Sequence, residues 1–275
     1  MTFKDFIPPI LIRLVKRCIG LENTKEYQNY SQAMKFCYSY SYDDFEFCSM
    51  MSDKTIAYMK VVKEKPFCLN QTNSFLLAAI NQYINLHSKK KITVLDFGGA
   101  CGAHFLEIKR FFPNDFSLKW YVVETDQMVK SAVNKGLHNN ELNFVNSIED
   151  IKIKIDFIHS SGALQCVSNP YEFINKLINI NASWMLFNRM MFNESDRDIL
   201  TILKSFLSTN GPGKLPKGYS DKIVSYPHTT MSFQKFNQKM INNGYELEWM
   251  FCDTSSGIQL KNEKIIGKGL LYLKK

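Results

Sequence analysis

What the sequence lacks excludes several function classes before any motif is read. Its seven cysteines (Cys18, Cys37, Cys48, Cys68, Cys101, Cys166 and Cys252) are scattered, odd in number and form no CxxC pair. A fully paired disulfide framework is therefore not expected, and a reducing cytoplasm is the simpler setting. No apolar run approaches the ~20 residues that span a bilayer. The opening stretch MTFKDFIPPILIRLVKRC lacks the order of a signal peptide, because Arg13, Lys16 and Arg17 interrupt it. The histidines stand alone, so their spacing suggests no metal site. There is no G-x-S-x-G nucleophile elbow, no Walker lysine, no internal repeat and no low-complexity tail. An Asn/Asp-Pro-Pro-Tyr/Phe block and a compact Arg/Lys stripe are also missing, which makes nucleic acid a weaker partner expectation.

Among the 275 residues, 34 are basic and 26 acidic, a formal charge of +8, and 45% are apolar. The charge favours anionic partners without choosing among them. Residues 1–90 read as an N-terminal helical extension. Pro8 and Pro9 open a helix with Leu11, Leu14, Val15, Cys18 and Ile19 on one side and basic residues on the other. Residues 1–20 thus suit peripheral contact with an anionic membrane, or packing on the domain or on a second subunit. SFLLAAINQYINL is a further helix.

From residue 91 to 275 the rhythm is α/β. Strands ITVLDF, LKWYVVE, LNFVN, IDFIHS and ASWMLFNRM alternate with helices expected around 102–112, 126–137, 170–180 and 195–208. This predicts a mostly parallel sheet covered on both faces. A Gly/Pro-rich loop, a helix in FQKFNQKMINNG and the strands YELEWMF and IIGKGLLYLKK follow, the last two as an antiparallel pair.

The sharpest motif is DFGGACG. Asp96 ends the first strand, Gly98, Gly99 and Gly102 allow a tight turn, and Glu124 ends the second strand 28 residues after Asp96. An acid beside the turn repels a pyrophosphate but suits the ammonium of S-adenosyl-L-methionine, and Glu124 can accept from two ribose hydroxyls. After Gly98, the dinucleotide fingerprint fails at Ala100 and Ala103. A tight turn with merely solvated acids is the plainer alternative.

The blocks VLDFGGACGAHF, WYVVETDQMV, IDFIHSSGALQCVSNP, MLFNRMMF, VSYPHTTMSFQKF, GYELEWMF and GKGLLYLKK resemble class I S-adenosylmethionine-dependent methyltransferases over residues 30 to 275. Within that superfamily they resemble a group associated with bacterial surface-polysaccharide gene clusters. The resemblance implies a Rossmann-like fold and methyl transfer at O or N of a small-molecule, sugar or glycan-precursor acceptor. It places Asp96 near the methionine end, wraps Gly98–Gly102 around the cofactor, sets Glu124 on the ribose and puts the start of SSGALQ between cofactor and acceptor. Ala100 departs from the common third glycine.

The remaining candidates lie at strand ends. Asn146 and Ser147 are placed to meet adenine, and Ser160 and Ser161 to border the cofactor. Gln165, Asn188, Arg189, Tyr226 and His228 are candidates for the acceptor. Arg189 suits an anionic acceptor, or equally an ion pair with Glu194 or Asp196. His159 is preferred over His104 and His228 as a general base, because its strand delivers it to the cofactor edge. His104 reads more readily as a packed or capped residue. An RNA methyltransferase and an inactive partner-binding relative of the fold are the alternatives.

Overall fold

The computed structural model describes residues 25–37, 42–252 and 263–275. The helix expected after Pro8, with its membrane face, lies outside them. A short helix α1 (Tyr30–Met34) is followed by α2 (Phe45–Val62) and α3 (Gln71–Leu86). Asp44 and Asn70 start the two long helices, their side chains accepting from the backbone N–H of Phe47 and Asn73 at 2.9 Å each. In α3 the buried residues Leu76, Ala79, Ile80 and Tyr83 recur at helical spacing, so one stripe faces inward.

The α/β unit then runs β1 (Lys91–Phe97), α4 (Ala103–Lys109), β2 (Ser117–Val123), α5 (Asp126–Asn134), β3 (Leu142–Val145), β4 (Phe157–Ser161), α6 (Pro170–Asn179) and β5 (Trp184–Asn193). It continues through β6 (Ile199–Phe206), β7 (Ile223–Ser232), α7 (Phe233–Asn242), β8 (Tyr245–Cys252) and β9 (Ile265–Lys274). Five parallel strands stand in the order β3-β2-β1-β4-β5. β9 runs antiparallel beside β5, and β8 antiparallel beside β9. Strand order reverses between β1 and β4, and ligands of open α/β sheets bind beyond the carboxyl ends at such a point.

Side chains alternate across this sheet. Val94, Trp120 and Phe157 face a core completed by Phe47, Met50, Leu76 and Ile80, so α2 and α3 belong to the same packed body as the sheet. Leu95, Phe97, Ile158 and Phe187 face the second core with Leu177 of α6 and Phe236 of α7. No helix among the described residues is long and apolar enough to cross a membrane.

One element departs from the sequence reading. The helix expected over 195–208 is the strand β6, paired antiparallel along its length with β7. Ile199, Leu200, Ile202 and Leu203 satisfy a helical period as well as a strand, and pairing with β7 decides between them. Pro227 is tolerated because β7 meets β5 only at Met231 and Ser232, which leaves the far edge at Pro227 without a ladder. β5 outruns β4 and carries this hairpin over the carboxyl edge of the sheet. The buried Lys54 ties α2 to the end of β6 through the carbonyls of Ser208 and Asn210.

Candidate active site

The turn after β1 is shaped by what its glycines avoid. Gly98 has φ +71°, and a Cβ there would lie 2.0 Å from that of Ala163. A Cβ on Gly99 would lie 2.4 Å from Asp96 Oδ2, so the acid is folded beneath the turn. Ala100 adopts φ +48°, a left-handed conformation that glycine takes without steric penalty. Its N–H donates to Glu124 Oε1 at 2.9 Å, and the Thr125 N–H donates to Oε2 at 3.0 Å. Desolvation pushes the Glu124 carboxyl up to about 7, helped by the negative charges of Asp96 and Asp43 and opposed by those two amides.

Asp96 is fully buried and has both oxygens engaged. Oδ1 meets His159 Nδ1 at 2.8 Å, and Oδ2 accepts from Trp120 Nε1 at 3.2 Å. Burial pushes its carboxyl up, yet His159 and His104 outweigh this and hold it below the usual range. With Asn188 Nδ2 donating to His159 Nε2 at 3.2 Å, the pattern assigns the His159 proton to Nδ1. His159, expected as the base, therefore has no exposed surface and no open ring nitrogen. Asp96, expected at the methionine end, lies behind Gly99.

His104 is placed differently. Its Nδ1 lies 2.7 Å from Asn73 Oδ1, while Asn73 Nδ2 donates to Glu107 Oε2 at 2.6 Å and Tyr58 Oη donates to Glu107 Oε1 at 3.0 Å. This chain fixes the proton on Nδ1 and leaves Nε2 without a hydrogen-bond partner among the described residues. Desolvation lowers the His104 ring to about 4, with His159 and Arg189 adding to the effect and Asp96 opposing it. The rings of His104 and His159 meet edge-on at 4.8 Å, and candidate ligand atoms of Asp96, His104 and His159 all lie within 4.8 Å of one another.

Other expected residues divide into open and closed. Ser160 Oγ donates to Phe97 O, whereas Ser161 Oγ and Asn188 Oδ1 are buried without a partner. Gln165 and His228 are joined: Gln165 Oε1 accepts from Met191 N at 2.8 Å and Nε2 meets His228 Nε2 at 3.0 Å, which stitches the turn after β4 to β5 and β7, while His228 Nδ1 is buried without a partner among the described residues. Burial lowers His228 to about 4. Asn146 Nδ2 donates to Asp126, and Ser147 caps the short helical turn that follows it, so both side chains at the end of β3 are already used. Arg189 is exposed at φ +54°. Glu194 and Asp196 pair instead with Lys264 and Lys235. Tyr226 packs edge-on against Tyr42 at 5.3 Å. Tyr42, Asn73, Glu107 and Trp120 were not singled out in the sequence, and each acts through a partner distant in the chain.

No protein-family profile and no curated protein sequence matches the chain. Among solved structures it is similar to an S-adenosylmethionine-dependent methyltransferase from Clostridium acetobutylicum, at 13% identity over 80% of this chain and 96% of that one, with a TM-score of 0.45. The CcbJ methyltransferase from Streptomyces caelestis is 11% identical over 82% and 98% of the two chains, TM-score 0.45. CalS10, an amino pentose methyltransferase from Micromonospora echinaspora, is 9% identical over 75% and 93%, TM-score 0.47. The fold class rests on strand order: β3-β2-β1-β4-β5 with an antiparallel strand beside β5 is a Rossmann-like, mostly parallel sheet.

Proposed function

We propose that this chain is an S-adenosyl-L-methionine-dependent methyltransferase acting at O or N of a small-molecule, sugar or glycan-precursor acceptor. The observation that carries the reading is the set of carboxylates around the glycine turn: Asp96 beneath Gly99, Glu124 on Ala100, and Asp43 close enough to raise Glu124. Such a field repels a pyrophosphate and favours a donor with cationic centres. The residues present fit that donor. Glu124 keeps lone pairs beyond the two amides for vicinal hydroxyls, and the turn from Gly98 to Gly102 offers backbone without side-chain bulk.

When bound, the cofactor supplies an activated methyl for in-line displacement. The protein's share is alignment and, for a hydroxyl acceptor, removal of a proton. We assign the proton-accepting role to His104, whose Nε2 is open and whose tautomer is held by Asn73 and Glu107. His159 and Asp96 become positioning groups that support the turn from below. The sequence resemblance favours a cell-envelope glycan precursor as acceptor and a cytoplasmic setting, with residues 1–20 as the segment that would meet an anionic membrane.

Calorimetric titration with S-adenosyl-L-methionine and S-adenosylhomocysteine tests the reading, followed by a labelled-methyl screen of envelope precursors and RNA. Saturable binding and labelling of a precursor are expected. Folded protein that binds neither ligand would overturn it, and labelling of RNA alone would reassign the acceptor.

A further inference from the structure

Arg189 occupies a position that regular strand geometry would deny it. Along β5, Phe187 faces the second core and the next residues should alternate. Instead the pairing with β9 slips between Phe187 and Met190, and Met190 rejoins the face of Phe187 and Phe192. The extra residue in this bulge is Arg189, held at φ +54°. A bulge re-aims a side chain, and a non-glycine residue in the left-handed region persists only where its surroundings enforce it. Here the enforcement comes from Gly162 of the neighbouring segment. Its own φ is +74°, which favours glycine, and its N–H donates to Asn188 O at 2.9 Å.

The bulge turns the arginine toward the open side of the site. Its charge acts on His104 of α4, Tyr226 of β7, Tyr42 in the turn before α2 and Cys166 in the turn after β4. No carboxylate of the described residues lies within ion-pair distance of it. Buried Asn188 Oδ1 and Ser161 Oγ, both without a partner, stand on the adjoining residues of β5 and β4.

We infer that the methyl acceptor carries an anionic group, a carboxylate or a phosphate, and that Arg189 is the residue that grips it. This rests on the methyltransferase reading above. A guanidinium without an ion-pair partner among the described residues presents a planar fork to such a group. The pairing also serves the chemistry: an anion on Arg189 cancels one of the positive fields that depress His104, so a bound acceptor strengthens the base that is to act on it.

The test uses full-length protein saturated with S-adenosylhomocysteine, titrated at constant ionic strength with inorganic phosphate and, separately, malonate, and followed by thermal shift. One probe should stabilise the wild type saturably, and which one does so separates phosphate from carboxylate. Arg189→Gln should weaken that response at least about tenfold, since losing one charge-assisted contact is worth that much, and Arg189→Lys should retain part of it. Arg189→Gly should fold as stably as wild type or better, because glycine accepts the backbone angle, and should still lose the response. The affinity for S-adenosylhomocysteine should stay within about twofold in all three. No saturable response in wild type, or its retention in Arg189→Gln, overturns the inference. Loss of S-adenosylhomocysteine binding in the variants alone assigns Arg189 to the donor, which also overturns it while leaving methyl transfer standing. Failure of wild type to bind S-adenosylhomocysteine sinks the underlying reading instead.

Discussion

The two sides of the carboxyl edge are built on different terms. On the β1–β2 side both acids are spoken for: Glu124 holds two amides and Asp96 two ring donors. On the β4–β5 side three groups are left open: Ser161 Oγ and Asn188 Oδ1 are buried without partners among the described residues, and Arg189 is strained and exposed. An unpaired buried polar atom is destabilising, and a ligand that bonds to it offsets that cost. On the proposed reading, the difference separates a preorganised donor pocket from an acceptor pocket that its substrate completes.

The largest effect expected is on the rigid side. Gly98→Val places a β-branched residue at φ +71° and drives its Cβ into Ala163. Backbone strain and overpacking together should destabilise the fold by about 3 kcal/mol or more, measured by denaturant unfolding, with cofactor binding lost. Ser161→Ala, on the open side, removes an atom that bonds to nothing and should leave unfolding within ~0.5 kcal/mol of wild type. Equal losses in the two variants would erase the contrast.

How the site divides between legible and illegible residues follows the same line. The strand-end acids and the glycine turn were readable because local sequence dictates them: an apolar run, an acid, then residues that tolerate φ > 0. The hairpin of β6 and β7 was not, since ILTILKSF suits two periods and only its partner strand decides. Long-range polar pairing was equally invisible. Nothing near Asp96 in the chain announces Trp120 or His159 as its partners, and nothing near His104 announces Asn73. On the proposed reading His159 and His104 exchange the roles expected of them: the strand that delivers His159 to the edge also buries it against Asp96 and Asn188.

The next effect concerns pH. In the free protein Glu124 titrates near 7, above its ordinary value, because desolvation favours the neutral acid. Its contribution to stability is therefore present below about 4.5 and is lost as pH rises through 7; His104 and His228, lowered to about 4, change in the opposite sense between about 4 and 6.5. On the proposed reading, cofactor hydroxyls donate to the ionised form of Glu124, so binding releases a proton near pH 7. Affinity for S-adenosyl-L-methionine should fall about tenfold from pH 8 to pH 6 in calorimetry, and Glu124→Gln should bind more weakly but with a flat profile. A wild-type profile already flat over that range would remove Glu124 from the cofactor's hydroxyls.

The smallest effect tests whether the rigid side is also relaxed. Ala100 stands where a glycine would be at ease, and φ +48° carries a steric penalty of roughly 1–2 kcal/mol for an L-residue. Glycine there removes that penalty but adds unfolded-state freedom worth about 0.4–1 kcal/mol. The balance predicts that Ala100→Gly stabilises the protein by ~0.5–1 kcal/mol in denaturant unfolding. Because the contact to Glu124 runs through the backbone N–H and not the methyl, cofactor affinity should be unchanged. Stabilisation with unchanged affinity marks Ala100 as a strained but harmless departure from glycine. A loss of affinity would mean that the methyl itself helps shape the cradle, and that the donor side depends on side chains as well as on its backbone.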